Sequence, residues 1–169
     1  MNVSSIITEK KGVASSIKKE LGLLQKHKPL GLIKVTDPEV IKNLLPGLSV
    51  LWAGFVVYCE NLEPENFAKN VVVTNELHDN MLVGFDFIVG DKNIEKIDEY
   101  SSRGIAPILE SSTHLSCILK EFNPIKNEGN TFFYQENNSW SIFHSIVRYL
   151  ENYKFPFDNK NLIKNILEI

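Results

Sequence analysis

Four loops of the sequence carry the polar residues that are best placed for chemistry. Each loop follows a segment rich in strand-forming residues, and in a parallel sheet such loops meet at the carboxyl edge, where ligands bind. The loops span Glu9–Gly12, Thr36–Pro38, Gly90–Asn93 and Glu110–His114. We therefore search them first for groups that bind an anion or hydrogen-bond to a sugar.

The first two loops offer an anion site and a helix cap. Lys10 and Lys11 would place ammonium groups beside a helix N-terminus, which favours anions, although exposed lysines near a first turn are commonplace. Thr36 and Asp37 precede Pro38 in the pattern of an N-cap followed by proline at the first helical position. The cap alone explains this loop, and a binding role requires a ligand there.

The other two loops hold a carboxylate and a cluster of hydroxyl and imidazole groups. Asp91 follows a buried strand, where its carboxylate could accept hydrogen bonds from a ribose or another sugar. His114 follows Ser112 and Thr113 and is the best placed of the four histidines, although a surface or capping histidine is more common at such a position. Both loops are therefore candidate ligand contacts.

The common catalytic and metal-binding motifs do not occur. The sequence has no GxGxxG, GxxxxGK[ST], HExxH or GxSxG, which removes the usual dinucleotide, P-loop, zincin and hydrolase-elbow classes. Cys59 and Cys117 lie far apart, with no CxxC and no companion histidine for zinc. We expect neither a metal nor a cofactor.

Composition bounds the size of the protein and its partners. The 169 residues, 43% of them apolar, are enough for one domain with a real core, so we expect a single domain over residues 1–169. The formal net charge of −3 argues against nucleic acid or an acidic membrane as a partner. The longest apolar stretch, Val50 to Cys59, is about half a membrane span, and no signal-peptide pattern is present. These features predict a soluble cytoplasmic protein.

Strand-like and helix-like segments alternate along the chain, as expected of βαβ units. We predict strands at Ser4–Thr8, Gly31–Val35, Val50–Tyr58, Val71–Val73, Phe87–Val89, Ile105–Leu109 and Thr131–Tyr134. Helical spacing separates most of them, and two helices over about 139–169 close the chain. The alternation predicts an α/β fold with a doubly wound, mostly parallel, Rossmann-like sheet and helices on both faces.

Three local expectations accompany this fold. A helix carrying Val13, Ile17 and Leu21 on its apolar face would place Lys18 in solvent and would be weakened by Gly22. The helix that follows Pro38 would stop at Pro46 and Gly47. Trp52 would belong to the core.

Several strings, in this order, resemble one family. Ser5–Gly12 is similar to S-R-L-x-x-Q-K-G, Ile33–Pro38 to L-G-x-G-D-P, Gly104–Leu109 to G-T-x-P-V-V and Gly129–Phe133 to T-G-F-x-F, and Trp140–Tyr153 resembles the closing helix. These patterns are those of the C-terminal, donor-binding Rossmann half of GT-B glycosyltransferases, most closely the bacterial glycogen and starch synthase type. The resemblance covers nearly the whole chain.

The resemblance implies a site for a nucleotide sugar, with ADP-glucose or UDP-glucose as the donor. Lys11 would hold the donor diphosphate as the catalytic cation, and Asp91 would hold the ribose or the sugar. Ser112, Thr113 and His114 would lie on the phosphate side, and Thr36 and Asp37 would line the same group of loops. GT-B enzymes react between two domains, so transfer would need a complementing N-terminal domain or a homo-oligomer.

The sequence departs from the family where the chemistry would be done. Ile6 stands where the family has the arginine that neutralises the diphosphate. Asp91–Ile94 replaces E-P-x-G-L, and Ser112–His114 replaces a T-G-G loop, which adds Cβ atoms where a phosphate needs close backbone approach. We therefore expect an eroded donor site.

Two other functions stay open. A non-catalytic protein-interaction module on a Rossmann scaffold would explain both the lost motif residues and the missing second domain, and it would show a large exposed apolar patch. A receiver-like or small-ligand α/β domain would need several carboxylates in one pocket, whereas the loops offer scattered ones.

Overall fold

A seven-stranded sheet organises residues 2–169, the part of the chain that this computed structural model describes. The strands are β1 (Leu30–Lys34), β2 (Gly54–Tyr58), β3 (Glu65–Ala68), β4 (Val71–Thr74), β5 (Phe87–Gly90), β6 (Ala106–Glu110) and β7 (Phe132–Tyr134). Their order is β3-β4-β2-β1-β5-β6-β7, and every neighbouring pair is parallel except β3 with β4. The predicted α/β class and mostly parallel sheet are confirmed.

Helices cover both faces of the sheet. They are α1 (Val3–Glu20), α2 (Pro38–Ser49), α3 (Ile97–Ser102), α4 (Ser139–Tyr153) and α5 (Pro156–Ile166), with 3₁₀ turns at Asp79–Gly84 and His114–Cys117. Apolar side chains of α2, α4 and α5 bury one face, and those of α1, α3 and the first 3₁₀ turn bury the other. Because both faces are covered, the central strands are apolar throughout, as in β2, where Phe55, Val56 and Val57 are all fully buried.

Residues 4–8 form the first turns of α1, so the strand predicted there is wrong. The Asn2 side chain caps this helix and accepts a hydrogen bond from the Ser4 amide at 3.0 Å. A stripe of buried side chains at helical spacing, Ile6, Lys10, Ala14 and Ile17, continues through the segment and outweighs the local strand propensity. The expected loop Glu9–Gly12 is therefore helix interior.

The second half of α1 also differs from expectation. Lys18 was predicted to lie in solvent, but it is buried, with only 3% of its surface exposed. The helix ends at Glu20, so Gly22 does not weaken its interior. Gly22 has φ of 72° in the turn that follows, where the Leu23 amide donates to the Lys18 carbonyl at 2.8 Å and closes the helix end.

Helix α1 crosses the amino edge of the sheet. Ile6 lies next to Gly104, just before β6. Lys10 Nζ donates to the Phe85 carbonyl, just before β5, and Lys18 Nζ donates to the His27 carbonyl, which precedes β1, each at 2.5 Å. Because β6, β5 and β1 are successive neighbours in the sheet, these contacts trace the path of the helix across three strand starts.

The region around Trp52 corrects three further expectations. Helix α2 continues through Pro46 and Gly47 to Ser49, because Leu48 prolongs its buried stripe. Strand β2 begins only at Gly54, and Trp52 is 63% exposed beside the His27 ring, so it is not part of the core.

Strand β3 was not predicted from the sequence. It is an edge strand, and the side chains of Glu65–Phe67 are exposed. It therefore lacks the alternation of apolar and polar residues that marks a half-buried strand.

The contact between β1 and β5 gives a test of the packing. A Cβ at Gly31 would overlap the buried Phe87 ring, whereas a Cβ at Gly12, inside α1, would meet nothing within 4 Å. We expect Gly31→Ala to lower the free energy of unfolding by about 1–3 kcal/mol through overpacking. Gly12→Ala should raise it by up to about 1 kcal/mol through helix propensity. Urea unfolding of both variants measures the difference, and equal effects would refute this description of the core.

Candidate functional site

The sheet changes winding direction between β1 and β5. From β1 the chain moves outward through β2 and β4, and it then returns to place β5 on the other side of β1. In open α/β sheets, ligands bind in the crevice beyond the carboxyl ends of the strands at such a switch point. Thr36 follows β1 and Asp91 follows β5, so both lie at this crevice.

The Asp91 carboxylate ties the two switch-point loops together. Its Oδ2 accepts hydrogen bonds from the Thr36 amide at 2.7 Å and the Thr36 hydroxyl at 2.6 Å, and its Oδ1 accepts from the Asn93 amide at 2.9 Å. The residue is only 1% exposed. Both carboxylate oxygens of Asp91 are therefore already hydrogen-bonded within the protein, whereas Thr36 is exposed and accessible to a ligand in the crevice.

The backbone amides at the start of α2 are also already hydrogen-bonded, in this case to the side chain of Asp37. Asp37 Oδ1 accepts from the Glu39 amide at 2.9 Å and from the Val40 amide at 3.4 Å, which confirms the predicted N-cap. A phosphate at this helix N-terminus would compete with that carboxylate for the same amides.

The loop after β6 lies next along the same edge. Ser112 Oγ donates to Glu110 Oε1 at 2.8 Å, and Thr113, 2% exposed, caps the 3₁₀ turn by accepting from the Leu115 amide at 3.5 Å. His114 is exposed. Ser112 and His114 of this loop are therefore exposed to solvent, whereas Thr113 is buried and caps the turn.

Tyr134, at the end of β7, joins the buried part of the edge. Its hydroxyl donates to the Gly90 carbonyl at 2.9 Å. Burial raises the pKa of this phenol far above its usual value, and the nearby carboxylates of Glu110 and Asp91 raise it further. Glu110 Oε2 is itself buried without a hydrogen-bond partner. The edge is thus acidic below its surface.

Six of the seven expected site residues lie along this one edge. Thr36 and Asp37 follow β1, Asp91 follows β5, and Ser112, Thr113 and His114 follow β6, in three neighbouring strands. Two strand spacings, about 10 Å, separate the first group from the last.

Lys11 lies at the opposite edge of the sheet. It lines a cleft of about 340 Å³ together with Lys10 and Asp86, which precedes β5. Five residue steps along β5, about 16 Å, separate Asp86 from Asp91. The structure therefore does not bring Lys11 together with the other six residues.

Lys10, the neighbour of Lys11, is the group that α1 buries. It is 3% exposed, and burial lowers the pKa of its ammonium from the usual 10.5 to about 8, while Asp86 opposes the shift. Burial likewise raises the pKa of Asp86, against the influence of Lys10 and of a hydrogen bond from the Leu30 amide.

Sequence reasoning singled out neither Glu110 nor Tyr134 as a site residue, and it treated Lys10 as part of a possible anion site that was more simply explained as exposed surface. Glu110 begins a predicted loop and Tyr134 ends a predicted strand, so the sequence indicated where each lies along the chain but not that they are close in space. The burial of Lys10 could have been predicted if the segment had been recognised as a helix, because Lys10 lies on the same face as Ile6 and Ile17.

The cavity at the carboxyl edge is small. A cleft of about 180 Å³ lies beyond β1 and β2, lined in part by Lys34, Thr36 and Tyr58. Ligand pockets usually occupy about 300–1,000 Å³. Within residues 2–169, no group of three or more acidic, histidine or cysteine side chains could hold a metal ion. No helix in that range is long and apolar enough to cross a membrane.

The comparison with solved structures identifies the fold. The catalytic domain of starch synthase IV from Arabidopsis thaliana, solved with ADP and acarbose, superposes with a TM-score of 0.78 at 15% identity, covering 100% of this chain. The chain therefore has the fold of a GT-B glycosyltransferase domain. This GT-B-like fold confirms the resemblance inferred from the sequence.

A second GT-B neighbour gives a weaker match. The wall teichoic acid polymerase TagF, in a variant soaked with CDPG, superposes with a TM-score of 0.58 at 10% identity over 98% of this chain. The GT-B-like domain spans only 40% of the starch synthase chain and 42% of the TagF chain. No protein-family model and no curated protein sequence matches it.

The hydrogen bonds of Asp91 predict a structural cost. In Asp91→Asn one carboxylate oxygen becomes an amide nitrogen, which leaves either Thr36 or the Asn93 amide facing another donor. We expect a loss of about 1–3 kcal/mol in the free energy of unfolding, measured by urea denaturation. Glu95→Gln, an exposed acid nearby, is the control and should change it little. Equal stability of Asp91→Asn and the wild type would contradict the network.

The buried Lys10 predicts a pH dependence of stability. The unfolded lysine keeps its proton up to about pH 10.5, and the folded one releases it near pH 8. Between pH 8 and 9 the unfolded state therefore binds more protons, so the free energy of unfolding should rise with pH. Above pH 9 the tyrosines, whose pKa values are raised in the folded state, increasingly oppose this rise. Burial lowers the pKa of Lys18 as well, so Lys10→Met should reduce the rise without abolishing it.

Exposed Lys19 supplies the control for this measurement. Lys19→Met should leave the rise unchanged, and a stability that is flat or falls from pH 8 to 9 in the wild type would show that the Lys10 ammonium is not destabilised by burial.

Proposed function

We propose that this chain is the nucleotide-sugar-binding domain of a GT-B-type glycosyltransferase of the glycogen or starch synthase kind, with a weakened donor site. ADP-glucose or UDP-glucose would lie along the carboxyl edge between the β1 loop and the β6 loop. The observation that carries the proposal is the convergence of Thr36, Asp91 and His114 on neighbouring strand ends beside the switch point.

The roles of the residues follow from their exposure. Thr36, Ser112 and His114 present side chains to solvent and would contact the donor. Asp91 and Thr113 are buried and hydrogen-bonded, so they would position these loops without touching the ligand themselves. Lys11 lies outside this donor site, because it lines the cleft at the opposite edge of the sheet.

The weakness of the site follows from its electrostatics. A donor diphosphate needs unoccupied backbone amides and positive charge, as helix N-termini provide. Here Asp37 takes the first amides of α2, and Asp91 takes the amides of Thr36 and Asn93. Glu110 adds a third carboxylate to the same edge. Lys34 supplies one cation in the cleft beyond β1 and β2, but a diphosphate would find the loop amides already hydrogen-bonded to carboxylates.

A second domain would complete the site. The cleft of about 180 Å³ beyond β1 and β2 is below the usual size of a ligand pocket. The starch synthase that was solved with ADP and acarbose has a chain of which this domain spans 40%. We therefore expect sugar transfer only when a complementing N-terminal domain, or a second copy of the chain, closes over the carboxyl edge.

Thermal unfolding with nucleotides tests donor binding. We expect millimolar ADP-glucose or UDP-glucose to raise the melting temperature, with a gain in stability that approaches about 2.7 kcal/mol only at 100 times the Kd. The double variant Ser112→Ala/His114→Ala should lose most of the shift, because it removes two of the three exposed donor contacts. Lys11→Gln, at the other edge, should keep it.

Each alternative result has a defined meaning. A shift that Lys11→Gln abolishes and the double variant preserves would refute a donor site at the carboxyl edge. No shift with any of ADP, UDP, GDP or their glucose conjugates would refute the proposal and favour a non-catalytic interaction module. Glucosyl transfer by the isolated chain would contradict the need for a second domain.

A further inference from the structure

The cleft at the amino edge of the sheet has a distinct charge pattern. It has a volume of about 340 Å³, and its charged lining consists of Lys10, Lys11, Lys18, Lys28 and Asp86. Four ammonium groups thus surround one carboxylate in a protein whose formal net charge is −3. A concave surface lined by one sign of charge focuses its field and attracts ions of the opposite sign.

Two of these lysines are buried without a direct ion pair, although the charge of Asp86 acts on both. Lys10 and Lys18 are each 3% exposed, and each Nζ donates one hydrogen bond, to the carbonyl of Phe85 or of His27. An ammonium group has three donors. Among the ion pairs of the described residues, none joins either lysine to Asp86. Lysines are almost never fully buried unless paired, so these two have unused capacity for an anion.

Asp86 offsets only part of the positive charge of the cleft, because it is one carboxylate among four lysines. One oxygen of its carboxylate accepts a hydrogen bond from the Leu30 amide at 2.9 Å, which ties it to the start of β1. Lys11 and Lys28 are exposed and stand at the rim. An anion that enters the cleft would therefore meet two buried and two exposed ammonium groups.

We propose that this cleft binds a phosphorylated small molecule, with its phosphate between the buried Lys10 and Lys18 and within reach of the rim lysines. Lysine is a common phosphate ligand, and several ammonium groups together suit a doubly charged anion. The volume lies within the usual range of small-molecule sites, and Gln25, Tyr153 and Asn159 in the lining offer polar contacts to the organic part. The site lies across the sheet from the proposed donor site and does not depend on it.

Chemical-shift mapping with inorganic pyrophosphate tests the site in the intact chain. We expect saturable amide shifts over residues 10–18, 28 and 86, with an affinity that falls as salt is added. Lys11→Gln/Lys28→Gln changes only exposed rim residues, so the fold is kept, and it should weaken binding about tenfold or more, as expected for lost charge-assisted hydrogen bonds. Lys120→Gln/Lys126→Gln removes the same charge from exposed positions in a segment that does not line the cleft, and it should weaken binding by no more than about twofold.

Phosphate and citrate complete the comparison. Inorganic phosphate should shift the same amides more weakly, and citrate should bind less well than pyrophosphate. Equal losses in the two double variants, or shifts scattered over all exposed lysines, would show general charge attraction and overturn the site. Shifts confined to residues 36, 91 and 112–114 would place the anion at the carboxyl edge and also overturn it, and citrate binding equal to that of pyrophosphate would overturn the phosphate class.

Discussion

The pairing of β1 with β5 holds the molecule together, and an aspartate secures it at each end. At the amino end Asp86 accepts a hydrogen bond from the Leu30 amide, and at the carboxyl end Asp91 accepts from the Thr36 amide. Both acids belong to the β5 segment and both partners to the β1 segment. The winding of the sheet reverses at this pair, so the two carboxylates fix the spacing on which both candidate sites depend.

The two edges of the sheet have opposite electrostatic character. The carboxyl edge, where a GT-B-like domain is expected to meet a diphosphate, carries the carboxylates of Asp37, Asp91 and Glu110, and the first two occupy its amides. The amino edge carries the lysines, because α1 crosses it and buries Lys10 and Lys18 there. The cleft lined by four lysines thus lies on the side away from the strand ends that define the fold's usual site.

The sequence predicted the central strands well, because β1, β5 and β6 are buried on both faces and appear as continuous apolar runs. Sequence-based prediction was wrong where the local secondary-structure propensity or the residue type disagrees with the observed burial pattern. The β-branched start of α1 is helical because its apolar residues follow a longer helical stripe, and the exposed Trp52 belongs to a turn. Three of the four expected loops were located correctly from strand ends, and the fourth, Glu9–Gly12, is helix interior. Whether the amides of these loops are already hydrogen-bonded depends on side-chain contacts across the sheet, such as that between Asp91 and Thr36.

The antiparallel strand β3 has a consequence for solubility. It pairs with β4, whose residues Val71–Val73 are three consecutive buried valines with strong strand propensity. Left at the edge, such a strand would be a template for pairing with other chains. Strand β3 covers it with a short irregular ladder, and Glu65 places a charge at the outer border of the sheet. As a short, charged and irregular edge, the antiparallel β3 is a poorer template for edge-to-edge pairing than β4 would be.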